Sequence, residues 1–287
     1  MKKDEFRKYT ESHIRLLDGA TGSFLLAAGA PRGACLEKWA CDNPDVVIGL
    51  QNEYIEAGSE IILAPTFGAN RFRLKAHGLE GEVPELNKKA VGISRTAAAG
   101  RALVAGDISM LGEMLEPFGD LTFEEAQDAY REQISALNDA GCDLLVIETM
   151  LNIDELKAAL RASKEVSDLP VLATMSFGVS GKTIYGTSAA DAARIITDEG
   201  ADAVGANCSL GPDLMLTVIE SIAANTHLPV IAKPNAGLPN LEGTYELSAD
   251  AFAGQAARLA DAGASLIGGC CGTSPEYIRK LAALISR

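Results

Sequence analysis

Three cysteines occupy positions where thiol chemistry is plausible. Cys270 and Cys271 stand side by side in "LIGGCCGTSPEYIRKL", residues 266–281, and Cys208 lies in "VGANCSLGP". Adjacent strand residues face opposite ways, so a vicinal pair cannot serve one packed face of a regular strand. Here the pair sits where an apolar run breaks into glycine, and a turning backbone can aim both thiols at one centre. Three thiolates suit zinc, a soft-sulfur ion of tetrahedral geometry, and three protein ligands leave a fourth position open for chemistry. Spacing alone does not settle the matter: Cys208 and Cys270 are 62 positions apart and no CxxC is present. Buried packing of Cys208 and a redox switch at the vicinal pair both remain open. Cys35, Cys41 and Cys142 read as buried apolar residues.

The elements that must position these thiols follow from a repeated design. "EAGSEIIL" (56–63), "DAGCDLLV" (139–146), "DEGADAVG" (198–205) and "DAGASLIG" (261–268) each carry an acid, a glycine and a short apolar run. This is a helix ending on a left-handed glycine and passing straight into a buried strand. "IRLLDGATGS" (14–23), "RALVAGDISM" (101–110), "LPVLATMSFG" (169–178) and "LPVIAKPNAG" (228–237) bring the apolar runs to eight. Asn43-Pro44, Ser274-Pro275 and Thr122 with Glu125 mark helix starts between them. Eight wholly apolar strands alternating with helices imply a parallel sheet covered on its faces. In a chain of 287 residues that predicts an α/β fold, a single (β/α)8 TIM barrel spanning residues 1–287. An open doubly wound sheet is the alternative. The stretch from Leu111 to Phe123 is long for a βα loop and is expected to fold over one rim.

Barrel chemistry sits where strands end. The residues there are Asp18, Asn70, Asp107, Glu148, Ser176, Cys208, Asn235 and the Cys270–Cys271 pair. The strands carrying Cys208 and the pair flank the seventh, so their ends can converge.

Composition narrows the function further. A formal charge of −14 argues against a nucleic-acid partner, which demands clustered Lys and Arg. The charged N-terminus has no signal-peptide core, and no apolar run is long enough to span a membrane. Six cysteines are too sparse for a disulfide scaffold, so a cytoplasmic protein with reduced thiols is expected.

"GANCSLGP" and "GGCCGTSPEYI" resemble the two cysteine motifs of the zinc-dependent homocysteine S-methyltransferases. The resemblance extends over nearly the whole chain through "LLDGATGSFL", "NPDVVIGLQNEYIEAGSEIILAPTFGANRFRL", "GCDLLVIETM" and "AKPNAGLP". "TFGANR" is most similar to the branch containing the homocysteine-binding module of cobalamin-dependent methionine synthase. The resemblance implies Zn2+ held by Cys208, Cys270 and Cys271, and homocysteine activated as a zinc-bound thiolate and methylated to methionine. It implies that Glu148 binds the substrate amino group and that Asp18 belongs to the same pocket. The backbone N–H groups of Gly19, Ala20 and Thr21 are expected to receive the carboxylate, as glycine-rich turns do. The structural alternatives are that Asp18 caps a turn and that Glu148 pairs with a barrel lysine. Asn235 is expected at the fourth zinc position before substrate arrives, with a plain turn role as the alternative. Asn207 is expected to orient a zinc ligand, and Trp39 either walls the pocket or packs in the core.

The sequence ends soon after its last helix, without folate or corrinoid modules. The expected methyl donor is therefore methylcobalamin on a partner methyl-corrinoid protein. S-methylmethionine or betaine as donor, an excised module of a larger enzyme, and a non-catalytic zinc or redox-sensing barrel stay as alternatives.

Overall fold

The computed structural model describes residues 1–240 and 242–285. Its eight strands are β1 (Arg15–Leu16), β2 (Ile61–Leu63), β3 (Leu103–Ile108), β4 (Leu144–Met150), β5 (Val171–Met175), β6 (Ala203–Asn207), β7 (Val230–Lys233) and β8 (Ala264–Ile267). Each begins within one of the eight apolar runs, and β4 and β6 continue past the ends of theirs. All pair in parallel, in the order β1-β8-β7-β6-β5-β4-β3-β2. Closure between β1 and β2 rests on the Leu17–Ile61 bridge, with Glu60 N donating to Leu16 O at 2.8 Å and Asp18 N to Ile61 O at 3.1 Å. The fold is a (β/α)8 TIM barrel, not an open sheet.

The four acid–glycine–apolar repeats work as their chemistry requires. Gly58, Gly141, Gly200 and Gly263 all have positive φ, between 74° and 111°, and turn a helix end directly into the next strand. Among the helix starts, Thr122 forms a full capping box with Glu125 at the head of α7 (Phe123–Asp139). Asn43 precedes a proline at the first turn of α4 (Pro44–Glu56), but its side chain makes no cap bond. It donates instead to Trp39 O at 2.9 Å, closing α3 (Leu36–Asp42).

Two apolar layers result. The outer one fills the space between sheet and helices and holds Ile62, Val104, Leu145 and Ile147. The inner one fills the barrel with Leu17, Ile61, Leu63, Val146, Leu172 and Ile231. Alternation along the strands explains the split, since neighbouring residues face opposite sides. Phe6 joins the inner layer from α1 (Lys3–Glu11), with only 1% of its surface exposed. Arg15, at the start of β1, donates to Tyr9 O of that helix at 2.7 Å, and Lys3 pairs with Asp202 just before β6 at 3.3 Å. α1 therefore plugs the N-terminal end of the barrel and leaves the other end for chemistry.

The long loop after β3 behaves differently from the sequence expectation. Leu111, Leu115 and Leu121 turn inward to the outer core, and Leu111 N donates to the buried Glu155 carboxylate at 2.7 Å. Among the described residues, none from 109 to 122 lines the cavity at the barrel mouth. Its apolar residues explain the difference, because burying three leucines beside α7 is worth more than covering a rim.

Truncation of the plug gives a direct test. Phe6→Ala should cost about 3–5 kcal/mol of unfolding free energy, the range for a large-to-small change in a packed core. Denaturant unfolding measures this, and a loss below about 1 kcal/mol would show that α1 is not part of the barrel core.

Candidate functional site

β6 ends at Asn207, and the chain then takes two consecutive left-handed residues, Cys208 (φ 59°) and Ser209 (φ 58°). Neither is glycine, so each carries a cost on the order of 1–2 kcal/mol. Backbone bonds hold the turn: Cys208 N donates to Lys233 O at 3.0 Å, and Asn235 N to Leu210 O at 2.9 Å. After β8, a Cβ at Gly268 would lie within 3 Å of Leu17 and Asp18 just after β1, and a Cβ at Gly269 within 3 Å of the Thr273 side chain. Cys270 N donates to Pro234 O at 2.8 Å, and Ala236 N to Cys271 O at 2.9 Å. The ends of β6 and β8 are thus both laced to the end of β7.

The outcome is a cluster of Cys208, Cys270 and Cys271 whose sulfurs all lie within 4.8 Å of one another. Among the described residues it is the one group of His, Cys, Asp and Glu with metal-ligand proximity. The Cys208 and Cys271 sulfurs are 3.8 Å apart, and all three thiols are free. A tetrahedral zinc with bonds of about 2.3 Å separates its sulfurs by about 3.8 Å, against about 2.05 Å in a disulfide. The donor set therefore fits a soft tetrahedral ion. Hydrogen bonds from Cys208 and then Cys270 push the Cys271 thiol down toward the thiolate, against the effect of burial. Bonds to Cys208 and Cys271, followed by burial, raise the Cys270 thiol.

Asn207 supports the cluster. Its Oδ1 accepts from Thr149 N at 2.8 Å and Thr174 Oγ1 at 2.7 Å, while its amide reaches Thr149 Oγ1 at 2.8 Å and Cys270 Sγ at 3.9 Å. Thr149 itself is left-handed, with φ 61°, immediately after Glu148.

Beside the thiols a cavity of about 450 Å³ opens, lined at its deep end by Asp107, Glu148, Lys233 and the three cysteines. Gly19, Ala20 and Thr21 form another part of its wall. Glu148 Oε2 lies 2.5 Å from Lys233 Nζ, and both side chains are almost fully buried. The lysine anticipated as a structural partner of Glu148 is therefore real, and it lies in the site. Burial disfavours the Lys233 ammonium, but Glu148 and then Asp18 overcome this and hold its pKa above the ordinary lysine value. Asp18 Oδ2 accepts from Leu63 N at 2.8 Å, which ties β1 to β2, while its Oδ1 has no partner. Burial pushes the Asp18 carboxyl up to about 7, although Lys233 pulls the other way. Burial, followed by repulsion from Glu148, raises Asp107 well above its usual range, and its Oδ1 is likewise unpartnered.

Other sequence candidates are placed as follows. The Ala20 N–H already donates to Thr273 Oγ1 at 3.2 Å, so a bound carboxylate would have to compete with that hydroxyl. Asn235 is buried between the two cysteine-bearing turns with its Oδ1 unpartnered, but it is not among the cavity-lining residues. Asn70 caps α5 (Arg71–Lys75), and Ser176 donates to Asn207 O at 2.8 Å. Trp39 packs with Leu25, Ala40 and Val47 and does not itself line the cavity, although Leu25 does.

Lys233 was missed because a lysine ending an apolar strand reads as a surface terminus. Its signal was position: it closes "LPVIAK" at the rim where β1, β3 and β4 bring the acids Asp18, Asp107 and Glu148. Tyr245 was missed for want of any local pattern. Its ring lies against Gly272, where a Cβ would come within 2.4 Å of the ring.

Fold and site together define a parallel barrel with a three-thiol centre at its mouth, beside an acid-rich pocket. The sequence model of the homocysteine S-methyltransferases matches residues 15–285, and the chain belongs to that family. It is 31% identical to the methionine synthase of Mycobacterium tuberculosis over 289 residues, covering 94% of this chain and 24% of that protein. The Mycobacterium leprae methionine synthase is 30% identical over 290 residues, with the same coverage. The chain thus spans about a quarter of the length of these relatives. The Escherichia coli homocysteine methyltransferase MmuM in its metallated form superposes with TM-score 0.81 at 25% identity, covering 97% of this chain and 99% of that one. Its oxidized form gives TM-score 0.83 at 24% identity, over 97% and 98% of the two chains. No described helix is long and apolar enough to cross a membrane.

The Asp18 environment yields a pH prediction. A carboxyl raised from 3.8 to about 7 holds its proton more tightly folded than unfolded. Folding stability should therefore fall as pH rises from about 4 to about 7, then level off. In Asp18→Asn that component is absent, so the variant should gain relative to the parent across the window by up to about 4 kcal/mol. Urea unfolding of both proteins, with metal removed by chelator, measures the difference. A difference independent of pH would contradict the buried, protonated assignment.

Proposed function

We propose that the protein transfers a methyl group to homocysteine, held at Cys208, Cys270 and Cys271 on zinc, with a methyl-corrinoid protein as donor. The observation that carries this reading is the 3.8 Å separation of the Cys208 and Cys271 sulfurs, beside a cavity with a buried acid cluster. A zinc ion held by three thiolates would keep the incoming homocysteine sulfur deprotonated and electron-rich at neutral pH.

The chain's own residues bind and orient. Asp18, Asp107 and Glu148 share one lysine, so the deep end of the pocket carries an excess of acid. That excess favours an ammonium group. Lys233 takes Glu148 Oε2 and leaves Oε1 for the substrate amine. The "DGATGS" turn, through the Gly19 to Thr21 backbone, forms the wall that would meet the carboxylate. The unpartnered Oδ1 of the buried Asn235, just after Pro234, which accepts from Cys270 N, supports its taking the fourth metal position before substrate arrives. In the transfer the acceptor sulfur forms its bond to the methyl carbon as the donor–methyl bond breaks, and the thiol proton has left beforehand. Fixing the acceptor in one orientation is the main contribution of the barrel.

Support for the corrinoid donor comes from the identity to methionine synthases and from "TFGANR", similar to the cobalamin-dependent branch. We read residues 1–287 as one homocysteine-binding barrel domain acting in a reducing compartment.

The test combines metal content with turnover. The parent should contain about one zinc per chain, and each single Cys→Ser change should lose it with the barrel intact. Homocysteine-dependent demethylation should proceed with methylcobalamin and be slower with S-methylmethionine or betaine. Full zinc occupancy in the triple serine variant would sink the metal assignment, and faster turnover of a small donor would replace the corrinoid.

A further inference from the structure

The cavity has a second end that the binding of homocysteine does not use. Its deep end holds the thiols and the acids. Toward solvent it is lined by Glu37, Phe67, Gly68, Arg73 and His77, of which Arg73 and His77 are exposed. Glu37 belongs to α3, Phe67 and Gly68 to the connection between β2 and α5, and Arg73 to α5 itself. A methyl donor approaching the thiols from solvent meets this end first. Asn70 fixes the start of α5 by accepting from Arg73 N at 3.0 Å, and so sets where the Arg73 side chain leaves the helix.

The Arg73 guanidinium stands over the Phe67 ring, with Cζ 5.7 Å from the ring centroid. That is within reach of the attraction between a cation and an aromatic face. Among the described residues, Phe67 is the one Phe, Tyr or Trp ring lining the cavity, so its face is taken by the chain's own cation. Glu37 lies at the same place. An ideal Cβ on Gly68 would come within 2.7 Å of Glu37 Oε1, 3.1 Å of Arg73 Nε and 3.3 Å of Arg73 Cδ. The absent side chain at residue 68 is therefore what lets carboxylate and guanidinium crowd against the backbone beside the ring. Glu37 Oε1 accepts from Gly68 N at 2.7 Å, and Oε2 accepts from the Cys35 thiol at 3.4 Å. Arg71 pairs with Glu132 at 2.7 Å, whereas Arg73 has no ion pair or side-chain hydrogen bond among the described residues.

An aromatic face beside a carboxylate is an arrangement that binds alkylated cations. We propose that Arg73 is a donor-selecting residue: its guanidinium fills this cation site and bars donors whose methyl sits on a positively charged nitrogen or sulfur. This rests on the methyl-transfer reading above and narrows its donor. Betaine and S-methylmethionine carry their methyls on such cations and would have to displace a tethered charge. A methyl-corrinoid carries its methyl on cobalt and needs no such face.

Tetramethylammonium serves as the probe, titrated into the protein with homocysteine present and read by broadening of its methyl NMR signal. Arg73→Met keeps a side chain of similar reach and removes the charge; Arg73→Lys keeps the charge. Arg73→Met should bind the probe about 10-fold more tightly than the parent, and Arg73→Lys no more tightly than the parent. Adding Phe67→Ala to Arg73→Met should abolish the gain, which separates this site from the acids at the deep end. In turnover, the ratio of S-methylmethionine to methylcobalamin rates should rise by about the same factor in Arg73→Met, with zinc content and thermal unfolding unchanged. Equal probe affinity in the parent and Arg73→Met, an unchanged turnover ratio, or a gain that survives Phe67→Ala would each overturn the proposal. A parent without turnover on any donor would instead overturn the methyl-transfer reading, an outcome kept distinct because probe binding is read without turnover.

Discussion

The site depends on one constraint: two strands separated by a third must deliver three sulfurs to one point. β6 and β8 flank β7, and neighbouring strands lie about 4.8 Å apart, so their backbones are separated by about 10 Å. Sulfurs at 3.8 Å require both chain ends to bend toward β7. One side does so through left-handed Cys208 and Ser209, the other through glycines that a Cβ would block. The strain at Cys208 and Ser209 is of a kind that persists only where surrounding structure over-determines it. Here the over-determination is visible in the bonds from Cys208 N to Lys233 O and from Cys270 N to Pro234 O. Barrel closure sets the strand spacing, and the β7 end is the splint.

The same splint carries the electrostatics. Lys233 ends β7, so its backbone holds Cys208 while its ammonium holds Glu148. A buried cation among three carboxylates keeps the pocket acidic without leaving every acid charged, since Asp18 and Asp107 are pushed toward their protonated forms. An arriving ammonium can replace those protons. The pocket is thereby suited to a cationic group at its deep end and to a soft nucleophile at its thiol end.

Much of this was legible in the residues. The acid–glycine–apolar repeats gave strand positions because a left-handed glycine is a local requirement, independent of tertiary context. The three cysteines stood out because a vicinal pair is hard to bury in a strand. Lys233 and Tyr245 did not stand out, and the reason is physical. A strand-end lysine is normally solvated, and only barrel closure puts its neighbours' acids around it. Tyr245 reaches Gly272 from a loop whose course depends on long-range backbone bonds, and no periodicity encodes that. The loop after β3 misled because its length suggested a rim cover, whereas its leucines belong to the outer core.

The central claim is that the three-thiol cluster takes up a fourth thiol, that of the substrate, as its anion. Calorimetric titration of homocysteine into the zinc-loaded protein, in buffers of different ionisation enthalpy, counts the protons released on binding. A free thiol is mostly protonated near neutral pH, so the account predicts release of about one proton per site. The Cys208, Cys270 and Cys271 triple serine variant, which retains Asp18 and Glu148, should release little or none. Equal proton counts in the two proteins would mean that the cluster does not activate the sulfur, and the methyl-transfer chemistry would lose its basis.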